Sequence, residues 1–248
     1  MRAVILAAGI GRRIGNVTEG KPKILLSFGD RSLLERHLTM LRAVGISEIT
    51  VGIGHGAELI KSELVQLGET GVELVHNPNY QQGSIVTLSC LCEVMTRGGD
   101  VLLMDGDVLY DRRMLKRLTD SQQGNLFLLD RDVEIGEEPM KLAIRDGQPV
   151  DFRKTLEKEH DYYGESVGFF RFDQTLARDL CEAAAEIIAA GQHNEYMEEA
   201  IRNVLLASAP GRISFEDVTG LPWIEIDFAE DVVRAESRIL PLLVNEDR

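Results

Sequence analysis

Arg2-Ala3-Val4-Ile5-Leu6 runs into Ala7-Ala8-Gly9-Ile10-Gly11-Arg12-Arg13-Ile14 and, after a polar loop, into Thr18-Glu19-Gly20-Lys21-Pro22-Lys23-Ile24-Leu25-Leu26. The first five residues are apolar and partly β-branched, the composition of a buried strand. Gly9 and Gly11 remove Cβ atoms where the backbone must turn sharply and approach a ligand. Backbone N–H groups in such a turn converge on anions, and Arg12, Arg13, Lys21 and Lys23 set four cations around them. The whole chain has 27 basic and 41 acidic residues, a net charge of −14. A knot of positive charge at one end of an acidic chain points to a polyphosphate site.

Outward from this stretch, strands and helices alternate. Ser32-Leu33-Leu34-Glu35 is a capping-box pattern that opens a helix with Leu34, Leu38 and Leu41 on one face, ended by Gly45. Strands are predicted over 48–52 and 72–75. The helix between them, over 57–67, should turn Leu59, Ile60, Leu64 and Leu67 inward. This order argues for an α/β fold with a Rossmann-like, mainly parallel sheet flanked by helices. Asn77 to Gly83 is a turn-rich loop before a helix over 84–95, and it should share a rim with the glycine turn. Asp100 to Asp107 reads as a buried strand ending in Asp105-Gly106-Asp107. Carboxylates at that place, beside a phosphate site, suit Mg²⁺, whose shell substrate phosphates would complete.

The stretch from about 125 to 172 reads as a small β-rich insertion, with a hairpin through Asp146-Gly147. Helices are predicted over 174–190 and 196–206, the former with a closely packed Ala183-Ala184-Ala185 run. Trp223 to Asp227 is a last strand before a helix over 229–240 that Pro241 ends. Asp227 stands where it can cap that helix. No repeat or linker divides residues 1–248, so a single domain is expected.

The glycine spacing is neither a dinucleotide fingerprint nor a P-loop. Leu6-Ala7-Ala8-Gly9-x-Gly11-x-Arg13 followed by Thr18-x-x-x-Pro22-Lys23-x-Leu25-Leu26 instead resembles the signature of nucleotidyltransferases that activate sugar and alcohol phosphates, the MobA-like NTP transferases among them. The resemblance implies that Arg13 and Lys23 contact the reacting phosphates. It places the nucleoside triphosphate against Leu6, Ala7, Ala8, Gly9, Gly11, Arg12, Lys21, Gln82, Gly83 and Ser84. It favours Asp107 over Asp105 as a direct Mg²⁺ ligand and makes Asp227 the second. Ser84-Ile85-Val86-Thr87-Leu88 stands where the alcohol-phosphate branch often has Asn-x-x-Ser-Leu. The run from Gly220 to Asp227 looks most like the small cytidylyltransferases that charge choline phosphate or aminoalkyl phosphonates, so CTP is the expected donor.

An acceptor held at the basic turn should point its other end toward Tyr162, Glu165, Glu195, Tyr196 and Trp223. Aromatic faces and carboxylates suit a cationic head. A sugar-phosphate or inositol-phosphate acceptor is the alternative. A metal-dependent glycosyltransferase would not need Arg13 and Lys23 beside a triphosphate, and a non-catalytic nucleotide-binding module would not need the carboxylates. The acidic balance argues against a general nucleic-acid or anionic-membrane surface and leaves room for a local basic pocket. No signal segment or apolar run of spanning length is apparent, so a soluble cytoplasmic protein is expected. Cys90, Cys92 and Cys181 suit a reducing compartment better than a disulfide framework, with Cys90-x-Cys92 in the core.

Overall fold

In the computed structural model, which describes residues 1–132 and 139–243, β1 (Arg2–Ala7) gives way to turns over Arg12–Thr18 and Lys23–Leu25. A short ribbon of β2 (Ser27–Phe28) and β3 (Arg31–Ser32) leads into α1 (Leu33–Ala43), β4 (Ile49–Ile53), α2 (Ala57–Gln66) and β5 (Val72–His76). Then come α3 (Ser84–Met95), β6 (Val101–Asp105), β7 (Val108–Tyr110), α4 (Arg113–Asp120) and β8 (Leu126–Asp130). They are followed by β9 (Lys141–Arg145), β10 (Gln148–Arg153), β11 (Tyr162–Phe172), α5 (Gln174–Ala189) and α6 (Met197–Ala207). The described chain closes with β12 (Ser214–Asp217), β13 (Trp223–Glu225) and α7 (Ala229–Arg234), which runs on through a π turn into a last turn containing Pro241.

The main sheet has the order β10-β9-β11-β6-β1-β4-β5, with β8 paired to β11 and β12 to β8. The expected parallel sheet is its first half, β5-β4-β1-β6. The β-rich stretch is no separate insertion. The C-terminal half of β11 pairs antiparallel with β6 and its N-terminal half with β9, so one long strand carries the same sheet across. Residues 133–138 of that stretch lie outside the described residues. The hairpin turn is where expected, with Asp146 at φ 50° and Gly147 at φ 72°, the positive pair that matches strand twist.

Side chains alternate across the sheet. Ala3, Ile5, Leu102, Met104 and Phe169 pack in one core with Leu34, Leu38 and Leu41 of α1 and Met114, Leu115 and Leu118 of α4. Val4, Leu6, Val101, Leu103, Phe170 and Phe172 pack on the other face with α3, α5 and α6. Ser32 caps α1 by accepting from the Glu35 backbone N–H at 3.2 Å, which satisfies one of the donors a helix start leaves over. On α2, Ile60 and Leu64 are buried, but Leu59 faces out, 45 % exposed.

The expectation that the cysteines are unpaired is corrected. Cys92 on α3 and Cys181 on α5 are joined in a disulfide, with Cα atoms 5.6 Å apart, and Cys90 is free. Ala183 and Ala184 are buried beside Cys181, and such small side chains let two helices approach closely. Spacing could not reveal the pair, whose members are 89 residues apart. Among the described residues no helix is long and apolar enough to cross a membrane.

Candidate active site

A cavity of about 460 Å³ opens at the carboxyl ends of β1 and β6, the rim on which open α/β sheets bind ligands. Leu6, Ala8, Gly9, Gly11, Arg12, Arg13 and Lys23 line it from the N-terminal stretch, and Gln82 and Ser84 from the rim of α3. Gly11 has φ +67°, and a Cβ there would stand 3.0 Å from Lys23 Cγ. The glycine therefore lets the lysine stem cross the turn. At Gly9, which lines the cavity, a Cβ would meet no protein atom within 4 Å.

Three expected nucleotide residues do not line that wall. Ala7 packs beneath it beside Gly106, and Lys21 is exposed. Gly83 is pressed against the segment before α6, where a Cβ would fall 2.0 Å from the Glu195 carbonyl oxygen. Its job is to let α3 meet that segment, seen also in the bond from Gly83 N–H to the His193 carbonyl at 2.9 Å.

Asp107 and Asp227 come together through a two-stranded ribbon. β7 pairs antiparallel with β13, Val108 opposite Glu225, and Ile226 N–H donates to the Asp107 carbonyl at 2.9 Å. Glu225 is two residues before Asp227 and shares its side of the strand. Carboxylate oxygens of Asp107, Glu225 and Asp227 lie within 4.8 Å of one another. Glu225 was missed because a single strand-end glutamate carries no signal; its two-residue offset from Asp227 is the only hint.

This trio has the close oxygens that could hold a divalent cation, and two of its members already meet a positive charge. Lys23 Nζ lies 2.6 Å from Asp107 Oδ2, 2.8 Å from Asp227 Oδ1 and 2.9 Å from the Ile226 carbonyl. Arg13 Nη2 pairs with the other oxygen of Asp227 at 2.8 Å. Burial alone would lower the Lys23 pKa, but Asp107 and Asp227 raise it above the ordinary lysine range. The cap reading of Asp227 fails. The start of α7 is held instead by Asp231 Oδ2, which accepts from the N–H groups of Asp227 and Phe228.

Asp105 and Glu198 also line the cavity. Burial, and then repulsion from Glu198 and Asp107, push the Asp105 carboxyl well up. Glu198, near the start of α6, rises to about 7, mainly through burial, and its Oε2 has no hydrogen-bond partner among the described residues. Glu225 keeps solvent contact at the mouth, yet the surrounding walls and the charges of Asp107 and Asp227 also push it up. Beneath the site, His37 is fully buried and pulled down to about 4 by that burial. Its Nε2 sits 3.2 Å from the Gly106 carbonyl, so the neutral ring donates to the peptide between the two aspartates.

The five expected acceptor residues fall into two groups. Tyr196 lines the main cavity, where Lys154 Nζ lies 5.3 Å from its ring centre, and Glu195 lines a smaller cavity next to it. Tyr162, Glu165 and Trp223 line neither and gather around Asp130. Trp223 Nε1 donates to Asp130 Oδ2 at 2.7 Å, Glu165 sits opposite Asp130 across β11 and β8, and the Arg131 guanidinium covers the Tyr162 ring. Burial, and then Asp130, raise the Glu165 carboxyl to about 7. Asp130 was not foreseen, since nothing local marks it.

Known proteins resemble this chain in sequence and in fold. The chain is 26 % identical over 252 residues to the CMP-5'-(3-aminopropyl)phosphonate synthase of Streptomyces rubellomurinus, covering 97 % of this chain and 39 % of that protein. It is 27 % identical to the bifunctional IPC transferase and DIPP synthase of Thermococcus kodakarensis, covering 96 % of this chain and 50 % of that protein. The chain thus spans half the length, or less, of these curated relatives. Its fold matches the solved CTP:phosphocholine cytidylyltransferase of Streptococcus pneumoniae with a TM-score of 0.76 at 20 % identity, over 95 % of this chain and 97 % of that one. The family model described as the MobA-like NTP transferase domain matches residues 3–161, which include the glycine turn, Lys23 and the Asp105-Gly106-Asp107 strand end. By that match and by its fold, the chain belongs to the MobA-like NTP transferase domain family.

Proposed function

We propose that this protein transfers a nucleoside monophosphate from a triphosphate, CTP foremost, to a small phosphate or phosphonate acceptor, with release of pyrophosphate. The observation that carries the reading is the meeting of Arg13 and Lys23 with Asp107 and Asp227 at the end of the glycine turn, all within hydrogen-bond distance. An acceptor oxygen attacks the α-phosphorus, the bond to the bridging oxygen of the β-phosphate breaks, and pyrophosphate leaves with that oxygen. The acceptor is already an anion near neutral pH, so no general base is needed. The enzyme must hold two anions in line and offset their repulsion. Arg13 neutralises the departing pyrophosphate, and Lys23 binds between the α-phosphate and the acceptor. Mg²⁺ held by Asp107, Glu225 and Asp227 would supply Lewis acidity and a template.

The acceptor head is directed toward Trp223, Tyr162, Glu165 and Asp130, with Tyr196 lining the main cavity. Trp223 is two residues from Glu225 on one strand, and Glu165 is about 10 Å along β11 from Gly168, which touches Asp105. The cluster therefore lies beside the cavity, next to the carboxylates along β11 and β13. Its aromatic and acidic side chains favour a primary or quaternary ammonium, as in choline phosphate or an aminoalkyl phosphonate. Pyrophosphate release from each of four nucleoside triphosphates with choline phosphate, aminoethylphosphonate, inositol phosphate and hexose phosphates tests the reading. CTP with an amino-headed acceptor should be fastest. Faster turnover with every neutral polyol phosphate would overturn the acceptor assignment.

A further inference from the structure

We infer that Lys23 is the resident cation of the metal site in the free enzyme, so that the divalent ion can enter only when Lys23 leaves. This inference rests on the proposed metal role of Asp107, Glu225 and Asp227. Lys23 Nζ bonds one oxygen of Asp107, one of Asp227 and the Ile226 carbonyl, all within 2.9 Å. Three acceptors use all three of its protons. The same two carboxylates, with Glu225, present the close trio of oxygens. An ammonium and a divalent ion cannot both sit between Asp107 Oδ2 and Asp227 Oδ1.

The arrangement links metal to nucleotide. A triphosphate arriving at the glycine turn offers Lys23 new anionic partners, and Gly11 gives its stem room to cross the turn. Once the ammonium moves to the phosphates, Asp107 loses its cation and Asp227 keeps only Arg13 on its other oxygen, so the ion would take the place of the ammonium. Without nucleotide the competent state is a minor one, and apparent metal affinity falls by the fraction populated. Substrate thus opens the metal site, and Lys23 serves first as counter-ion and then as phosphate ligand.

Mn²⁺ binding to the full chain without nucleotide, followed by the loss of its free-ion electron paramagnetic resonance signal, tests this. Lys23→Met keeps the length of the stem and removes the charge. It should bind Mn²⁺ at least about 10-fold more tightly than the wild type, as expected when a competing state is removed. Arg13→Met is the control, because Arg13 also pairs with Asp227 but on its other oxygen and not with Asp107. A general charge effect would raise affinity equally in both variants, and that result would overturn the inference. So would equal affinity of wild type and Lys23→Met, provided Asp227→Asn abolishes binding, which leaves the metal reading intact. Binding that ignores Asp107→Asn and Asp227→Asn alike would sink the metal reading itself. As a second measurement, Mn²⁺ should raise the melting temperature of Lys23→Met and leave that of the wild type unmoved. The opposite pattern counts against the exchange.

Discussion

The two walls of the cleft carry opposite charge and are made in opposite ways. The cationic wall, with Arg12, Arg13 and Lys23, comes from one loop within twenty-three residues of the start. The acidic wall, with Asp105, Asp107, Glu198, Glu225 and Asp227, is collected from β6, the β7–β13 ribbon and the start of α6. A loop is free to turn its cations from protein carboxylates to substrate phosphates. Strand ends fixed in ladders cannot move theirs. In the proposed reaction the movable charge thus belongs to the side that would meet the triphosphate, and the fixed charge to the side that would hold the metal.

Removing the cation shared by both walls should do most damage. Lys23→Ala is expected to lower kcat/KM by roughly 10² or more, the scale of losing one electrostatic contact in the transition state. Circular dichroism should remain native, because the side chain lies over a loop. Near-normal turnover would remove Lys23 from the chemistry. On the fixed wall, Asp227→Asn should cut kcat by about 10², again on the scale of one such contact. The melting temperature should move little, since Asp231 and not Asp227 caps α7. A purely thermal defect with full activity would restore the capping role.

This contrast also explains what could be read without coordinates. Arg13 and Lys23 were legible because turn, glycine and cation are neighbours in sequence. The alternation through β6 was legible because each strand and helix keeps its own period. Glu225, Glu198 and Asp130 were not, because each gains meaning only from a partner far along the chain, as Asp130 does from Trp223, 93 residues away. The Cys92–Cys181 bond is hidden for the same reason. Gly83 shows the converse, a residue whose motif position suggests a ligand contact and whose packing shows a helix approach.

Glu165 allows the acidic side to be probed without catalysis. Burial and Asp130 hold its folded pKa at about 7, against an ordinary 4.5. The folded state therefore binds this proton more tightly than the unfolded one, and stability falls as pH rises between those values. The full loss is on the order of 3–4 kcal/mol, from roughly 2.5 pK units at about 1.4 kcal/mol each. Glu165→Gln has no such proton to lose. Urea unfolding at pH 5 and pH 8 should show the variant gaining on the wild type by that order at the higher pH. Parallel pH profiles would mean that the carboxylate is solvated.

The smallest effect belongs to Trp223, and it separates two uses of one side chain. Its indole N–H donates to Asp130, while its ring can present a face to an ammonium. Each such face contributes about 0.5–2 kcal/mol when water is excluded, so Trp223→Ala should raise the KM for choline phosphate or aminoethylphosphonate by roughly 10-fold. The KM for CTP should stay within about 2-fold, since Trp223 is not among the residues lining the nucleotide side of the cavity. Trp223→Phe keeps a ring and drops the N–H. If the face binds the acceptor, this variant should keep an acceptor KM close to the wild type, and its cost should appear as lower stability from an Asp130 oxygen left without its donor. If Trp223→Phe is as impaired toward acceptor as Trp223→Ala, the indole acts by positioning Asp130, and the carboxylate rather than the aromatic face reads the cationic head. If neither variant changes the acceptor KM, the acceptor does not reach this far from Glu225, and Tyr196, which lines the main cavity, becomes the side chain to replace.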